Sequence, residues 1–210
     1  MIYPYSLTND LFKQIKNKQL EGFLPGNGNK NAQIMFIGEA PGKTEIETQI
    51  PFSGRAGEIL DDYLKKIAIK RRDIYITSTL RSRPYKVVST NQGMKYPNRK
   101  PTASELILYS PLLDYEIESI NPKLIITLGD TALKRIVDQK KQISNVHGQL
   151  LYQGIKKLEK KQKKYIYTKK KYYIFPLFHP AAIFYNSKLK TLINFDLYKL
   201  KSIIDSLNIH

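Results

Sequence analysis

Three short stretches carry residue types able to do chemistry. "GEAPGKTEIETQIPFSGRAG" (38–57) sets two carboxylates, Glu39 and Glu45, around a turn made tight by Gly38, Pro41 and Gly42, which leaves backbone amides exposed. "TSTLRSRP" (77–84) passes from small hydroxyls, Ser78 among them, into Arg81 and Arg83. "LFHPAAIFYN" (177–186) places His179 before a rigid proline, as a donor for developing negative charge. Carboxylates and a fixed donor suit a bond whose cleavage leaves a cation on one fragment and an anion on the other.

Each stretch also has a plainer reading. The first can be a Gly-rich connection. It lacks the Lys-Ser/Thr ending of a P-loop, and no G-x-G-x-x-G is present, so nucleotide-cofactor binding is weakly supported. A histidine before proline is often structural. His147, in "VHGQL", reads as a turn residue, and His210 is terminal. No metal-ligand cluster accompanies the basic segments, which argues against a phosphate-hydrolysing enzyme.

The elements around these stretches fix where they lie. "QIMFIG" (33–38) and "KLIITLG" (123–129) are continuous apolar runs ending in Gly, as expected of central parallel strands. "DIYITST" predicts a third strand and "KKYYIFPLF" a fourth, the latter flanked with "GQLLYQG" around a basic segment. Helices are expected over residues 9–20, along the face Ile59, Leu60, Tyr63, Leu64 and Ile67, and from a Thr102/Glu105 capping box. Two more are expected over "DTALKRIV" and along a final stripe from Leu189 to Leu207. Strands and helices alternate at βαβ spacing, so one α/β domain over 1–210 with a mainly parallel sheet is expected. In such sheets the site forms where loops leave the carboxyl ends of strands, which is where the three stretches fall.

The totals bound the partners. With 35 Lys+Arg against 18 Asp+Glu the formal charge is +17, which favours a polyanion, nucleic acid before an anionic membrane surface. There are no cysteines, which excludes disulfides, thiolate zinc sites and cysteine-ligated iron–sulfur clusters. No run is long enough to span a bilayer, and "MIYPYSLTND" has no signal-peptide pattern, so a cytoplasmic protein with no membrane partner is expected.

Taken together and in order, "GEAPG…E…PFSGRAGEIL", "YITSTLRSRP…NRKPTASEL", "PKLIITLGDTAL" and "FHPAAIFYN" resemble the uracil-DNA glycosylase superfamily, nearest its family 4 branch. The similarity runs from about Gln33 to Asn186. It implies a three-layer α/β/α fold with a four-stranded parallel sheet and a DNA groove across the strand ends. It also implies extrusion of the target nucleotide, containing uracil or another deaminated base, into a pocket.

By the family pattern, the backbone at Glu39 and Ala40 approaches the base and water, and Glu45 assists water attack or steadies the sugar cation. Phe52 stacks on the base, Ser78 reads its edge, and His179 stabilises the departing base. Pro41, Gly42, Lys43, Arg55, Arg81, Arg83 and Pro180 would meet the DNA, and Ile183 would wedge into the vacated stack. Water is the nucleophile, so the chemistry needs no cofactor, and a monomer is expected.

Two departures accompany the resemblance. Family 4 carries four cluster cysteines; here the corresponding places are the "YPYSLTND" segment, Ser82 and about Tyr109. The family also has Asn where this chain has Ser78. An amide offers both a donor and an acceptor to uracil, a hydroxyl a single shorter group, so base recognition is expected to be weaker or broader. These departures keep a second expectation open, a DNA-binding protein without catalysis, although Glu45, Phe52 and His179 together favour the enzyme. The segment 156–171, with nine lysines and one glutamate, reads as a hairpin insertion at about 153–172, solvated or DNA-contacting.

Overall fold

A computed structural model describes residues 2–159 and 161–209; His210 lies outside them. In chain order the strands are β1 (Leu20–Glu21), β2 (Asn27–Gly28), β3 (Ile34–Gly38), β4 (Tyr75–Ser78), β5 (Arg83–Pro84), β6 (Val88–Thr90), β7 (Gly93–Lys95), β8 (Leu124–Leu128), β9 (Leu151–Glu159) and β10 (Lys164–Leu177). The helices are α1 (Tyr5–Ile15), α2 (Lys43–Thr48), α3 (Arg55–Lys66), α4 (Ala103–Ile120), α5 (Gly129–Ile136), α6 (Ile143–Val146) and α7 (Leu189–Ser206).

The central sheet has the order β2-β4-β3-β8-β10-β9. Its four inner strands, β4, β3, β8 and β10, are mutually parallel, as expected. Two antiparallel edges extend it to six strands, β2 against β4 and β9 against β10. Every residue of β3 and β8 is buried because helices cover both faces. One face packs Leu60, Tyr63 and Leu64 of α3 with Ile193, Leu197, Leu200 and Ile204 of α7. The other packs Leu113, Ile117 and Ile120 of α4 with Ala132, Leu133 and Ile136 of α5. Each fully buried Leu or Ile contributes about 1.5–3 kcal/mol relative to exposure, so these stripes supply most of the drive.

Helix α4 starts at the anticipated capping box: Glu105 N–H donates to Thr102 Oγ1 at 3.2 Å and Thr102 N–H to Glu105 Oε2 at 2.8 Å. Arg99 reinforces it with two bonds to the Glu105 carboxylate, at 2.7 and 2.8 Å. The Gly/Pro-rich connection after β3, read as a turn alone, contains the short helix α2. The polar loop after β4 holds a small hairpin, β6 with β7.

The lysine-rich segment forms the β9–β10 hairpin, whose register shifts between Tyr167 and Lys171. Beyond that shift it lies against the α4/α5 layer. Leu158 N–H donates to Asp114 Oδ2 at 2.8 Å, Arg135 Nη1 to the Lys156 carbonyl at 2.8 Å, and Tyr165 and Ser110 hydroxyls meet at 2.7 Å. Lys156 is itself buried, its amine donating to the Lys134 carbonyl at 3.0 Å.

Candidate active site

The carboxyl ends of β3, β4, β8 and β10 converge on one cluster. From β3, the Glu39 carbonyl accepts from Thr79 N–H at 3.1 Å and Leu80 N–H at 3.2 Å, which locks the turn to the end of β4. The Glu39 side chain accepts through Oε2 from the Thr131 hydroxyl at the start of α5. Thr131, in "LGDTAL" after β8, lies outside the three stretches whose residue types suggest chemistry.

Glu45 performs a different task. Its Oε2 accepts from Gly42 N–H at 3.0 Å and its Oε1 from Gly54 N–H at 2.9 Å. The residues preceding α2 and α3 are thereby joined through one carboxylate. Charge-assisted bonds of this kind are stronger than neutral ones, so the loop between them is braced.

Phe52 sits inside that loop with φ of +52°, an uncommon left-handed conformation for a bulky residue. Arg71, also unforeseen, holds it there: Nη2 donates to the carbonyls of Pro51 and Phe52, and Nη1 to Asp61 at 2.8 Å. The Phe52 ring lies over Gly38, where a Cβ would come within 2.8 Å of the ring. Only glycine lets the ring approach so closely. The ring centroid is 5.8 Å from that of His179, the planes tilted by 30°. Ser78 ends β4 beside Gly38, paired with it in register.

His179 follows β10. Its Nδ1 accepts from Ala181 N–H at 3.1 Å, so the neutral ring carries its proton on Nε2 and donates from there. Burial pushes its pKa down to about 4, with the Glu45 charge acting in the opposite sense. Near neutrality it is an uncharged donor. Behind it, His147 Nδ1 pairs with Asp196 Oδ2 at 2.6 Å and its ring lies 4.6 Å from that of Phe178.

Several anticipated DNA contacts fall elsewhere. Arg81 is 1% exposed and points inward, to Glu116, itself 0% exposed. Glu116 accepts from five donors: Tyr3, Tyr75 and Thr77 hydroxyls, Gly26 N–H and the Arg81 guanidinium. Arg83 is also buried, bonded to Asn98 Oδ1 at 2.6 Å, Glu21 and the Tyr96 carbonyl. Each guanidinium is committed to a carboxylate, Arg81 to the fully buried Glu116 and Arg83 to the half-exposed Glu21. Pro41 and Pro180 are buried too, and shape turns rather than meet solvent. Lys43 and Arg55 are exposed, Arg55 stacked 4.4 Å from the Phe184 ring centroid. Ile183 is half-buried on the α3/α7 core, while the next two residues, Phe184 and Tyr185, are exposed.

The places that the resemblance assigns to cluster cysteines form a packed polar-apolar knot. Tyr109 donates to Ser82 Oγ at 2.6 Å, and Ser82 donates to the Gly22 carbonyl at 2.5 Å. Tyr3, Leu11, Leu80 and Leu112 enclose the pair, and Tyr109 is fully buried. A hydroxyl pair bonded to itself, with no thiolate nearby, does not fit an iron–sulfur cluster.

A model for the uracil DNA glycosylase superfamily matches residues 25–200. A type-4 uracil-DNA glycosylase of Sulfurisphaera tokodaii is 34% identical, over 86% of this chain and 74% of its own. Those of Saccharolobus solfataricus and Thermotoga maritima are each 35% identical, over 87% and 85% of this chain and 76% and 81% of theirs.

Proposed function

Because the chain belongs to the uracil-DNA glycosylase superfamily, we propose that it hydrolyses the N-glycosidic bond of uracil in DNA and leaves an abasic site. The observation that carries this reading is the union, at one set of strand ends, of a neutral His179 donor, the Phe52 ring and the Glu39 carboxylate.

The target nucleotide leaves the stack and its base lies against Phe52, with Ser78 at its edge. As the C1′–N bond breaks, its electron pair passes to the base, and His179 Nε2–H donates to the oxygen on which that charge accumulates. The sugar becomes oxocarbenium-like, and a water oxygen bonds to C1′, losing its proton to a carboxylate. Glu39 is the better acceptor: one of its oxygens is held by Thr131, whereas both oxygens of Glu45 hold backbone amides. Glu45 keeps Phe52 in place and adds negative charge near the sugar cation. Ser78 in place of an amide admits other deaminated bases alongside uracil. The chain needs no iron–sulfur cluster, because Tyr109 and Ser82 brace the region by ordinary contact. A single domain over 1–210, acting as a monomer in the cytoplasm, completes the reading.

The test is a single-uracil oligonucleotide incubated with the protein, then treated with alkali to cleave abasic sites. Strand cleavage is expected with wild type. Removing a fixed donor of this kind typically slows turnover about 100- to 1,000-fold, which is the loss expected of His179→Ala. Glu39→Gln is expected to lower kcat more than Glu45→Gln. Cleavage no greater than in the His179→Ala control, across several deaminated bases, would leave only DNA binding.

A further inference from the structure

A groove of about 560 Å³ opens beside the catalytic loop, between the β6–β7 hairpin, β5 and the start of α2. Its walls include Tyr85, Met94, Tyr96 and Arg83, with Lys43 and Lys95 among the lining residues. The base of the hairpin is fixed. Tyr85 bridges to Asn98, Lys86 N–H donates to the Pro97 carbonyl at 3.0 Å, and Arg99 Nε to the Tyr85 carbonyl at 3.0 Å. Above that base the apolar groups are open, with Met94 and Tyr96 53% and 52% exposed. The Tyr85 and Tyr96 rings meet edge to face, centroids 5.9 Å apart. Arg83 is buried and matched by Glu21, whereas Lys95 and Lys43, the latter in an exposed pair with Glu47 at 3.6 Å, face solvent, so the cations within a ligand's reach are ammonium groups.

Two aromatic rings, a thioether and ammonium groups match a single unstacked base with its phosphate: the ring faces hold any base and the cations meet its charge. The volume lies within the range of small-ligand sites. Position is the second argument. Lys43 directly follows Gly42, whose N–H is held by Glu45, and Asn98 Nδ2 lies 3.4 Å from where a side chain at Gly42 would begin. Groove and catalytic loop therefore share one wall.

We infer that this groove holds a nucleotide neighbouring the target on the same strand, unstacked against Tyr85 and Tyr96, so that the enzyme grips single-stranded flanks as well as the target base. This rests on the proposed glycosylase activity, and the test separates the two.

Uracil excision is measured on single-stranded oligonucleotides that carry one abasic spacer at each neighbouring position in turn. Base stacking of this kind predicts that one spacer position raises KM about 5-fold or more, with kcat changed less than about twofold. Tyr96→Ala is expected to raise KM on the unmodified strand by a similar factor and to lose the spacer effect; Tyr96→Phe is expected to restore both. Excision with no position-dependent KM, or a full spacer effect in Tyr96→Ala, overturns the inference and leaves the activity standing. A second readout needs no catalysis. A uracil-free strand bearing 2-aminopurine at the neighbouring position is expected to change fluorescence on binding wild type and not Tyr96→Ala. Equal changes in both proteins overturn the groove assignment, even if excision is absent and the glycosylase reading has failed.

Discussion

The Tyr109 hydroxyl donates to Ser82 Oγ across 2.6 Å, joining a residue of α4 to the segment that leaves β4. Ser82 passes the bond on to the Gly22 carbonyl, so three stretches far apart in sequence meet at one buried point. Tyr109→Phe keeps the ring and removes one bond, and a loss of about 1 kcal/mol is expected. Tyr109→Ala removes the ring from a fully enclosed site, and about 3–5 kcal/mol is expected from the cavity. Urea unfolding midpoints at constant m-value measure both. Near-equal effects of the two variants would mean that the ring does not brace this region.

Arg81 is expected to matter for stability and not for DNA affinity. Removing it strands Glu116 at 0% exposure beside Tyr3, Tyr75 and Thr77. Breaking a buried pair by deleting one partner typically costs about 3–5 kcal/mol. Arg81→Met is therefore expected to lower the unfolding midpoint sharply. The slope of log Kd against log salt should stay at the wild-type value, measured at low temperature where the variant remains folded. A shallower slope would mean that Arg81 does contact phosphate.

What the chain reveals before folding divides along a physical line. Strands β3, β4 and β8 were legible because apolar runs are local, and so was α4, whose capping box spans only the four residues from Thr102 to Glu105. The fate of Arg81 was not legible, because its partner Glu116 lies 35 residues on. Glu116 shares a helix with Leu113, Ile117 and Ile120, so its burial follows from which faces of α4 are covered and not from any motif. Arg71 and Thr131 escaped notice for the same reason: each acts on a distant loop, Arg71 on Phe52 and Thr131 on Glu39. Glu39, Ser78 and His179 are legible because they sit at or just past the ends of parallel strands, and Phe52 because it lies in the connection between β3 and α3.

Base selectivity is expected to follow the side chain at position 78. Ser78 ends β4 next to Gly38 and the Phe52 ring. Ser78→Asn supplies both a donor and an acceptor at that edge, and an unmatched buried polar group costs about 1–3 kcal/mol. The ratio of kcat/KM for uracil over hypoxanthine is expected to rise about 10-fold, from the excision panel. An unchanged ratio would separate this position from base reading.

Acid sensitivity is expected to trace in part to His179. Its folded pKa is about 4 against an ordinary 6.5, so between those values the unfolded chain binds a proton that the folded one does not. Stability therefore rises with pH through this window: the contribution is complete above 6.5 and lost as the pH falls to 4. The shift corresponds to roughly 3 kcal/mol. Asp196 has a raised pKa, chiefly from burial, and runs the other way, but it is common to wild type and variant. His179→Gln cannot take up the proton, so its stability should fall less than that of wild type between pH 7 and pH 4.5. Urea titrations at the two pH values measure the difference. Parallel losses in both proteins would mean that His179 titrates normally, and that the ring assigned to the departing base is an imidazolium, protonated at Nδ1 as well as Nε2, at mildly acid pH.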